Sequence, residues 1–318
     1  MMARLVAIDR SFDGGDVSTD DGGALRLLRV LATTGAALML LVVVSSAYIR
    51  IAHAGVPCAE WPACDSRGAT ASMVGDGVRI ARFSHRIAAG AVGLVVLLLV
   101  ASTVTQRPRL ARPRAIALAA LAVTVALAAL GAGFAESRHP VPIPAVSLVN
   151  LEGGLALLAL LWWLRLTALA PQPGQGLLRA RIAIIAIVTL LAAIAQITLY
   201  ALVSAGFAVP VWTYRLGAAM LAAVGAVLVI ALLRAGGRAR SLGVITGALL
   251  VAQLAFHVGA LLTTQLAYRA GSGLVGASLL VALAYNLTIA LLLCALVSVV
   301  STRAGSSAPT DAAMRGAG

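Results

Sequence analysis

The chain alternates between long apolar runs and short polar segments, and this pattern predicts a bundle of membrane-spanning helices. A helix that crosses the hydrocarbon core of a bilayer needs roughly 20 predominantly apolar residues. Eight runs meet this length, at about residues 30–52, 85–104, 115–134, 144–167, 182–204, 213–234, 242–264 and 274–300. The pattern therefore predicts an all-α, polytopic membrane protein with eight transmembrane helices.

The two ends of the chain are polar or low in complexity, and both are predicted to be cytoplasmic tails. Residues 1–28 carry five aspartates, which is unlike the short basic region of a cleaved signal peptide. The first span is therefore expected to stay attached. Residues 303–318 are rich in Ala, Gly and Ser, a composition that predicts disorder.

Composition supports the same class of protein. Apolar residues make up 61% of the chain, charged residues 11%, and the mean hydropathy is +1.01. A net charge of +13 would suggest nucleic-acid binding in a soluble protein, but here the arginines lie between apolar runs. We therefore expect a lipid bilayer around the protein and no nucleic-acid partner.

The arginines also predict the orientation. They concentrate between the second and third, the fourth and fifth, and the sixth and seventh runs. They are Arg107, Arg109, Arg112, Arg114, Arg165, Arg179, Arg181, Arg234, Arg238 and Arg240. By the positive-inside rule these loops face the cytoplasm, so both termini should be cytoplasmic in the cell membrane. Trp162 and Trp163 are then expected to be aromatic anchors at the inner interface.

Two cysteines lie in the first outward loop, where Cys58 and Cys64 flank Trp61 and Pro62. An oxidising compartment permits a disulfide there, and closing this ring would lower the entropy of the loop. Two unpaired thiols or a transient metal site are the alternatives. Cys294, in the eighth run, is expected to be an apolar filler.

The chain contains an internal repeat. Ser84-His85-Arg86 opens the second run and Thr213-Tyr214-Arg215 opens the sixth, while Asn150 and Asn286, each followed by Leu, lie in the fourth and eighth. Polar groups at equivalent depths on facing helices are how a bundle builds a cofactor site; for the two asparagines, interhelical hydrogen bonding is the alternative. The repeat predicts two pseudo-symmetric four-helix halves. They cover residues 29–170 and 171–302.

Several of these features together identify a resemblance. They are the order of the apolar runs, Arg50 with Ala54-Gly55, Cys58-x-x-Trp61-Pro62-x-Cys64, Phe83-Ser84-His85-Arg86 and the two-fold repeat. With them the chain resembles the heme A synthase family, membrane enzymes of cytochrome oxidase assembly, over about residues 28–302. The resemblance implies two histidines at the outer ends of the second and fourth helices of each half. One half would hold a heme b cofactor, and the other the heme O whose methyl group is oxidised.

Paired imidazoles fix a heme iron and tune its potential, but this chain departs from that pattern. Only His85 is retained, whereas Asn150, Tyr214 and Asn286 stand at the other three ligand positions. Arg82 stands where the family has a glutamate three residues before the first histidine. A phenolate can ligate heme iron, so Tyr214 does not exclude heme, whereas a carboxamide is a poor ligand. His85 is therefore the expected iron ligand.

Four other polar residues have two interpretations each. Glu152 lies inside the fourth run, where an ionisable residue is usually functional or paired; it would be catalytic, or form an ion pair with Arg82 or Arg86. Arg86 and Arg215 would hold heme propionates or extend to the interface. His257 would be an alternative axial ligand or a satisfied interhelical histidine.

Two classes of function follow. The first is a heme A synthase-like membrane oxidoreductase that oxidises the methyl group of heme O, with His85 and Glu152 as the catalytic residues. The second is a non-catalytic heme-binding carrier or oxidase-assembly factor on the same fold. The resemblance implies heme O synthase and oxidase assembly proteins as partners and allows a homo-oligomer. A transporter is a weaker third interpretation, because repeats also build midplane sites.

Overall fold

The computed structural model describes residues 17–53, 71–105, 111–136, 143–168, 176–204, 209–270 and 275–301. These residues form eight α-helices and no strand. The helices are α1 (Val17–His53), α2 (Ala71–Thr105), α3 (Ala111–Glu136), α4 (Ile143–Thr167), α5 (Gly176–Ser204), α6 (Val211–Ala235), α7 (Gly237–Ala270) and α8 (Val275–Ser301). Each contains a stretch long and apolar enough to cross a membrane, so the predicted all-α, polytopic class is confirmed.

Several helices extend beyond the apolar runs that predicted them. α1 begins at Val17, inside the predicted 1–28 tail, and α2 begins at Ala71, well before His85. His85 consequently lies within the apolar span Ile80–Thr105 and not at its first residue. The physical reason is that hydropathy marks the part of a helix suited to hydrocarbon, whereas the helix itself continues into the polar interface.

The helices contact one another in two rings. In the first half α1 contacts α2, α2 contacts α3, α3 contacts α4, and α4 returns to α1; α5 to α8 repeat this arrangement. The two rings meet through α8, which contacts α1 and α4, and through α4 against α5. The helix ends that carry the repeated polar positions therefore lie in corresponding places in the two rings.

Close helix packing holds the first ring together. Lipid is as apolar as a leucine side chain, so association within a membrane depends on van der Waals contact and on small residues that let backbones approach. A Cβ atom on Gly35 of α1 would lie 3.1 Å from Val95 Cγ1 and 3.3 Å from a methyl group of Leu161. Gly35 thus allows α1 to approach both α2 and α4.

The link between α6 and α7 is a single residue. Gly236 has a φ of 72° and Gly237 a φ of 51°, values in the left-handed region that glycine adopts without a steric penalty. The N–H of Arg240 donates to the carbonyl of Gly236 at 3.2 Å. This turn reverses the chain and brings α7 back along α6.

Other expectations concern the cysteines and tryptophans. Cys294 is buried in the core, as expected for an apolar filler. Trp162 Nε1 donates to Ser298 Oγ at 2.8 Å, and the Arg165 guanidinium lies 4.4 Å from the centre of the Trp162 ring. Trp162 therefore joins α4 to α8, and its role as an interfacial anchor stays a prediction. Cys58 and Cys64 lie outside the described residues, so their disulfide stays a prediction.

Candidate functional site

A cavity of about 700 Å³ lies between the four helices of the first half. This volume is in the range of roughly 300–1,000 Å³ that is usual for ligand sites. Most of the lining is apolar, and His85, Arg50 and Asn150 contribute polar groups from α2, α1 and α4. A mostly apolar wall with a few convergent polar groups is the usual composition of a small-molecule site.

Small residues on α2 create this space. A Cβ atom on Gly90 would meet nothing within 4 Å, and one on Gly93 would meet only Thr124 Cγ2, at 4.0 Å. Both glycines line the cavity. α2 is a continuous helix through these positions. The space beside it is open because the two glycines have no side chains.

Neighbouring groups on α1 determine which ring nitrogen of His85 carries the proton. Its Nδ1 lies 3.3 Å from the carbonyl oxygen of Val42 and 3.4 Å from Ser45 Oγ. The Ser45 hydroxyl donates to the carbonyl of Leu41 at 2.7 Å, so its oxygen is an acceptor towards His85. With two acceptors beside it, Nδ1 carries the proton and Nε2 keeps its lone pair. Metal-ligating histidines are oriented in the same way.

The two asparagines of the repeat are connected through α1. Arg50 donates from Nη1 to Ser46 Oγ at 3.1 Å and from Nη2 to Asn286 Oδ1 at 3.2 Å. Asn150 Nδ2 donates to the same Ser46 oxygen at 3.4 Å. Both asparagines thus form interhelical hydrogen bonds, and they lie at the two ends of one polar chain across the interface between the halves.

The second half is filled where the first is open. The rings of Tyr214 and His257 have centroids 4.5 Å apart, and those of Tyr200 and Tyr285 are also 4.5 Å apart. Tyr214, His257 and Tyr285 are all buried. A planar ligand between two rings needs about 7 Å, twice a van der Waals separation of about 3.5 Å. No porphyrin plane fits between Tyr214 and His257.

Two glycines on α6, in the second half, are crowded by neighbouring side chains. A Cβ atom on Gly217 of α6 would collide with the side-chain oxygen of Gln196, and one on Gly225 would lie 2.6 Å from a methyl group of Leu250. Thr288 donates to the side-chain oxygen of Gln253 at 2.6 Å, which joins α8 to α7. Side chains therefore occupy the interior that the cavity occupies in the first half.

Glu152 lies away from the cavity. Its carboxylate accepts a hydrogen bond from Thr198 Oγ1 of α5 at 2.8 Å, so its partner among the described residues is neither Arg82 nor Arg86. The reason is helical geometry: two positions along a helix turn the side chain by about 200°. Asn150 faces the cavity, so Glu152 must face the other way.

The remaining predicted residues are distributed between these regions. Arg86 lines the cavity and is exposed, whereas Arg215 is exposed on α6 and does not line it. His257 packs on Tyr214, and its Nδ1 has no hydrogen-bond partner in the part of the chain that the structure describes. His257 is therefore interhelical, its Nδ1 has no partner among the described residues, and it does not line the cavity beside His85.

Sequence reasoning did not assign a role to Arg50, Ser46, Ser45 or Thr198. One signal for the first pair was available, because Ser46 and Arg50 are four residues apart and therefore share a helix face. Arg50 was interpreted as part of the loop motif since it ends the first apolar run. Its side chain instead lies along the cavity wall.

The fold and site together define a class: a helical membrane protein with a cavity between its spans, lined among the described residues by one histidine, His85. A family model described as cytochrome oxidase assembly protein, COX15-CtaA, matches residues 77–217. This range includes His85, Asn150 and Tyr214, and it confirms the resemblance to the heme A synthase family over those residues. No curated protein and no solved structure gives a match.

Proposed function

We propose that the protein holds one heme-type porphyrin in the cavity of the first four helices and acts in cytochrome oxidase assembly as a heme-binding carrier or assembly factor. One observation carries this proposal above the others. His85 lines a cavity of about 700 Å³, and its Nδ1 lies 3.3 Å from the Val42 carbonyl. This leaves the lone pair of Nε2 to bind iron. The family match over residues 77–217 supports the same assignment.

The residues present fit such a ligand in the first half. His85 would ligate the iron, the apolar walls would take the macrocycle, and Arg50 and Arg86 lie where carboxylates would need positive charge. A bound heme supplies a redox-active iron. The chain itself orients the imidazole through α1 and keeps the cavity predominantly apolar.

The residues of the second half do not fit a heme held by paired histidines. Tyr214 is in ring contact with His257, and the amide oxygen of Asn286 accepts a hydrogen bond from Arg50. A carboxamide is also a poor iron ligand. We therefore derive no electron transfer through a second heme, and this favours the carrier over the oxidase.

Binding of hemin to the purified protein tests the proposal. Among the described residues that line the cavity, His85 has the one imidazole. Replacing it should weaken binding by roughly a hundredfold or more, about 2.7 kcal/mol, so His85→Ala should lose most of the hemin absorption band. His257→Gln is the control, because His257 is buried in the second half. Equal retention of hemin by wild type and His85→Ala would refute the assignment of the cavity.

Oxidation of the heme O methyl group is the second candidate function, and the family match favours it. A bacterial strain that lacks heme A synthase separates the two candidates. Appearance of heme A after expression of this protein would establish the oxidoreductase. Normal expression without heme A would support the carrier. Glu152→Gln, tested in the same strain if heme A appears, decides whether that carboxylate takes part.

We further propose that the protein lies in the cell membrane with both termini cytoplasmic, since the arginine-rich loops fall on one side. Cys58 and Cys64 would then be outside and joined by a disulfide. After reduction, a membrane-impermeant thiol reagent should label them in intact cells; labelling only after lysis would reverse the orientation. Peptide mapping without reduction, with thiols blocked, should recover the linked pair.

The partners we propose are heme O synthase and oxidase assembly proteins, because a carrier must receive its heme from one protein and deliver it to another. Cross-linking in native membranes followed by purification of this protein should recover them. Recovery of cross-linked copies of this chain alone would favour a homo-oligomer. These experiments require no assumption about catalysis.

A further inference from the structure

We propose that Arg50 is the anion-recognition residue of the first-half cavity and that Asn286, from the second half, holds it in position. The ligand class this selects is an amphiphile that carries a carboxylate. The inference deepens the proposed function, because a heme-type porphyrin with free propionates belongs to that class. It assigns a role to Arg50, which the sequence analysis placed in a loop motif. It also assigns one to Asn286, which stands where the resemblance implies a histidine.

Among the residues that the structure describes, the partners of Arg50 leave its charge uncompensated. Arg50 ends the apolar part of α1, Gly23–Arg50, and lines the cavity. Its guanidinium has five N–H donors, and its hydrogen bonds go to Ser46 Oγ at 3.1 Å and Asn286 Oδ1 at 3.2 Å. Both acceptors are neutral, and within the described ranges Arg50 forms no ion pair.

An uncompensated guanidinium in a membrane span calls for an anion. Arg50 is the last residue of its span, and ionisable side chains that line a cavity between spans are usually paired or functional. The planar fork of arginine matches a carboxylate and can form two parallel charge-assisted hydrogen bonds with it. Donors of Arg50 that are not used by Ser46 and Asn286 remain for such a group.

Arg50 is better suited to this role than the other arginine of the cavity. Arg86 lines the same cavity but is exposed, so neighbouring helices restrict its side chain less than they restrict a half-buried one. Arg50 is half-buried and held from two sides, by its own helix and by α8. A charged group already fixed in its binding position loses less conformational freedom when the ligand arrives.

Asn286 is a positioning residue in this arrangement. Its Nδ2 donates to the carbonyl of Ala282 at 2.7 Å, which fixes the amide so that Oδ1 faces Arg50. A neutral acceptor orients the guanidinium and leaves its full charge for a ligand. An aspartate of the same shape would orient it equally well but would neutralise it.

The experiment compares hemin with hemin dimethyl ester, which has the same macrocycle and no free carboxylates. A charge-assisted hydrogen bond contributes enough for a preference of about tenfold to a hundredfold, so wild type should bind hemin more tightly than the ester by that factor. Arg50→Gln and Asn286→Asp should each remove the preference by weakening hemin, while affinity for the ester stays within about threefold. Arg181→Gln, an exposed arginine near the start of α5, should keep it.

Two results would overturn the proposal. One is a preference that survives both Arg50→Gln and Asn286→Asp. The other is a preference that Arg86→Gln alone removes. Should Arg50→Gln not fold, Asn286→Asp decides, because it keeps both side chains at nearly their original size.

Failure of the heme proposal would look different. If wild type binds neither hemin nor its ester, the porphyrin assignment is wrong, and the same variants are tested with a fluorescent fatty acid and its methyl ester. A preference for the free acid in wild type that is lost in Arg50→Gln and Asn286→Asp would support anion recognition by Arg50. Equal binding of acid and ester by wild type, or no binding of either, would overturn it.

Discussion

The two halves of the protein have the same ring of four helices and opposite interiors. In the first half a Cβ atom on Gly90 would meet nothing within 4 Å, whereas in the second half one on Gly225 would lie 2.6 Å from Leu250. His85 lines a cavity, while its counterpart in the repeat, Tyr214, packs on His257 with centroids 4.5 Å apart. Helix arrangement alone therefore does not make a ligand site; the size of a few inward side chains decides it.

The comparison of the two halves also explains what Asn286 does at a position where the resemblance implies a histidine. The resemblance implies an iron ligand at the position of Asn286, yet its side-chain oxygen accepts from Arg50, which lines the cavity of the first half. The second half thus contributes to the site of its neighbour. Asn286 therefore has a structural contact of its own, whatever ligand the resemblance implies at its position.

Filling the cavity should have the largest effect. Gly90→Leu places a side chain in open space, so hemin binding should fall by roughly a hundredfold, while the unfolding temperature changes little. Gly217→Leu, in the crowded half, should do the reverse and lower stability by about 1–3 kcal/mol through overpacking. Hemin titration and denaturant unfolding in detergent measure both. Loss of hemin binding in Gly217→Leu with a stable fold would mean that the second half is the binding site.

The hydrogen bond between Thr198 and Glu152 should have the next largest effect. Thr198→Val leaves the carboxyl group at the α4–α5 interface without its partner, which should lower stability by about 1–3 kcal/mol. Hemin affinity should stay within about twofold, since a contact outside the cavity changes binding little. Thr189→Val is the matched control, because the Thr189 hydroxyl donates to the carbonyl of Ile185 within its own helix. Equal destabilisation by the two variants would contradict the interhelical role.

A smaller effect is expected at Ser45, which helps to orient His85. Its oxygen lies 3.4 Å from His85 Nδ1, a long contact, and the Val42 carbonyl remains at 3.3 Å. Ser45→Ala removes this one orienting partner and should weaken hemin binding by about twofold to tenfold. Ser102→Ala, which removes a hydroxyl bonded only to Leu99 of the same helix, is the control. A change in Ser102→Ala as large as in Ser45→Ala would remove the orienting role.

The smallest effect is expected for Tyr214→Phe. The Tyr214 ring packs on His257, and we assign it no contact with iron, so the affinity and the optical spectrum of bound hemin should be unchanged. A shifted spectrum in this variant would show that the phenolate ligates the iron. It would also show that the second half opens to admit a porphyrin, which would end the contrast between the two halves.

Much of the fold could be predicted from the sequence, because long apolar runs have one stable form in a bilayer. The site could be predicted only in part. His85 was found as a retained motif residue, but hydropathy placed it at the start of a span and not within one. The direction of Glu152 was available from its distance of two residues from Asn150, which turns the side chains apart by about 200°.

Other features of the site depend on contacts between distant parts of the chain. The sequence does not show that Gly90 faces open space or that Gly217 faces Gln196, because these facts depend on how helices rotate against one another. The bond between Arg50 and Asn286 joins positions 236 residues apart. Neither a local propensity nor a hydropathy pattern contains such information.

That bond has a consequence for the inheritance of the two repeats. A duplicated four-helix unit could in principle be split into separate genes, or one copy could diverge freely while the other keeps its function. Here a fragment ending after α4 would carry Arg50 without the Asn286 acceptor. Substitutions at these two positions should therefore depend on each other, so that the repeats evolve as one unit despite their separate helical rings.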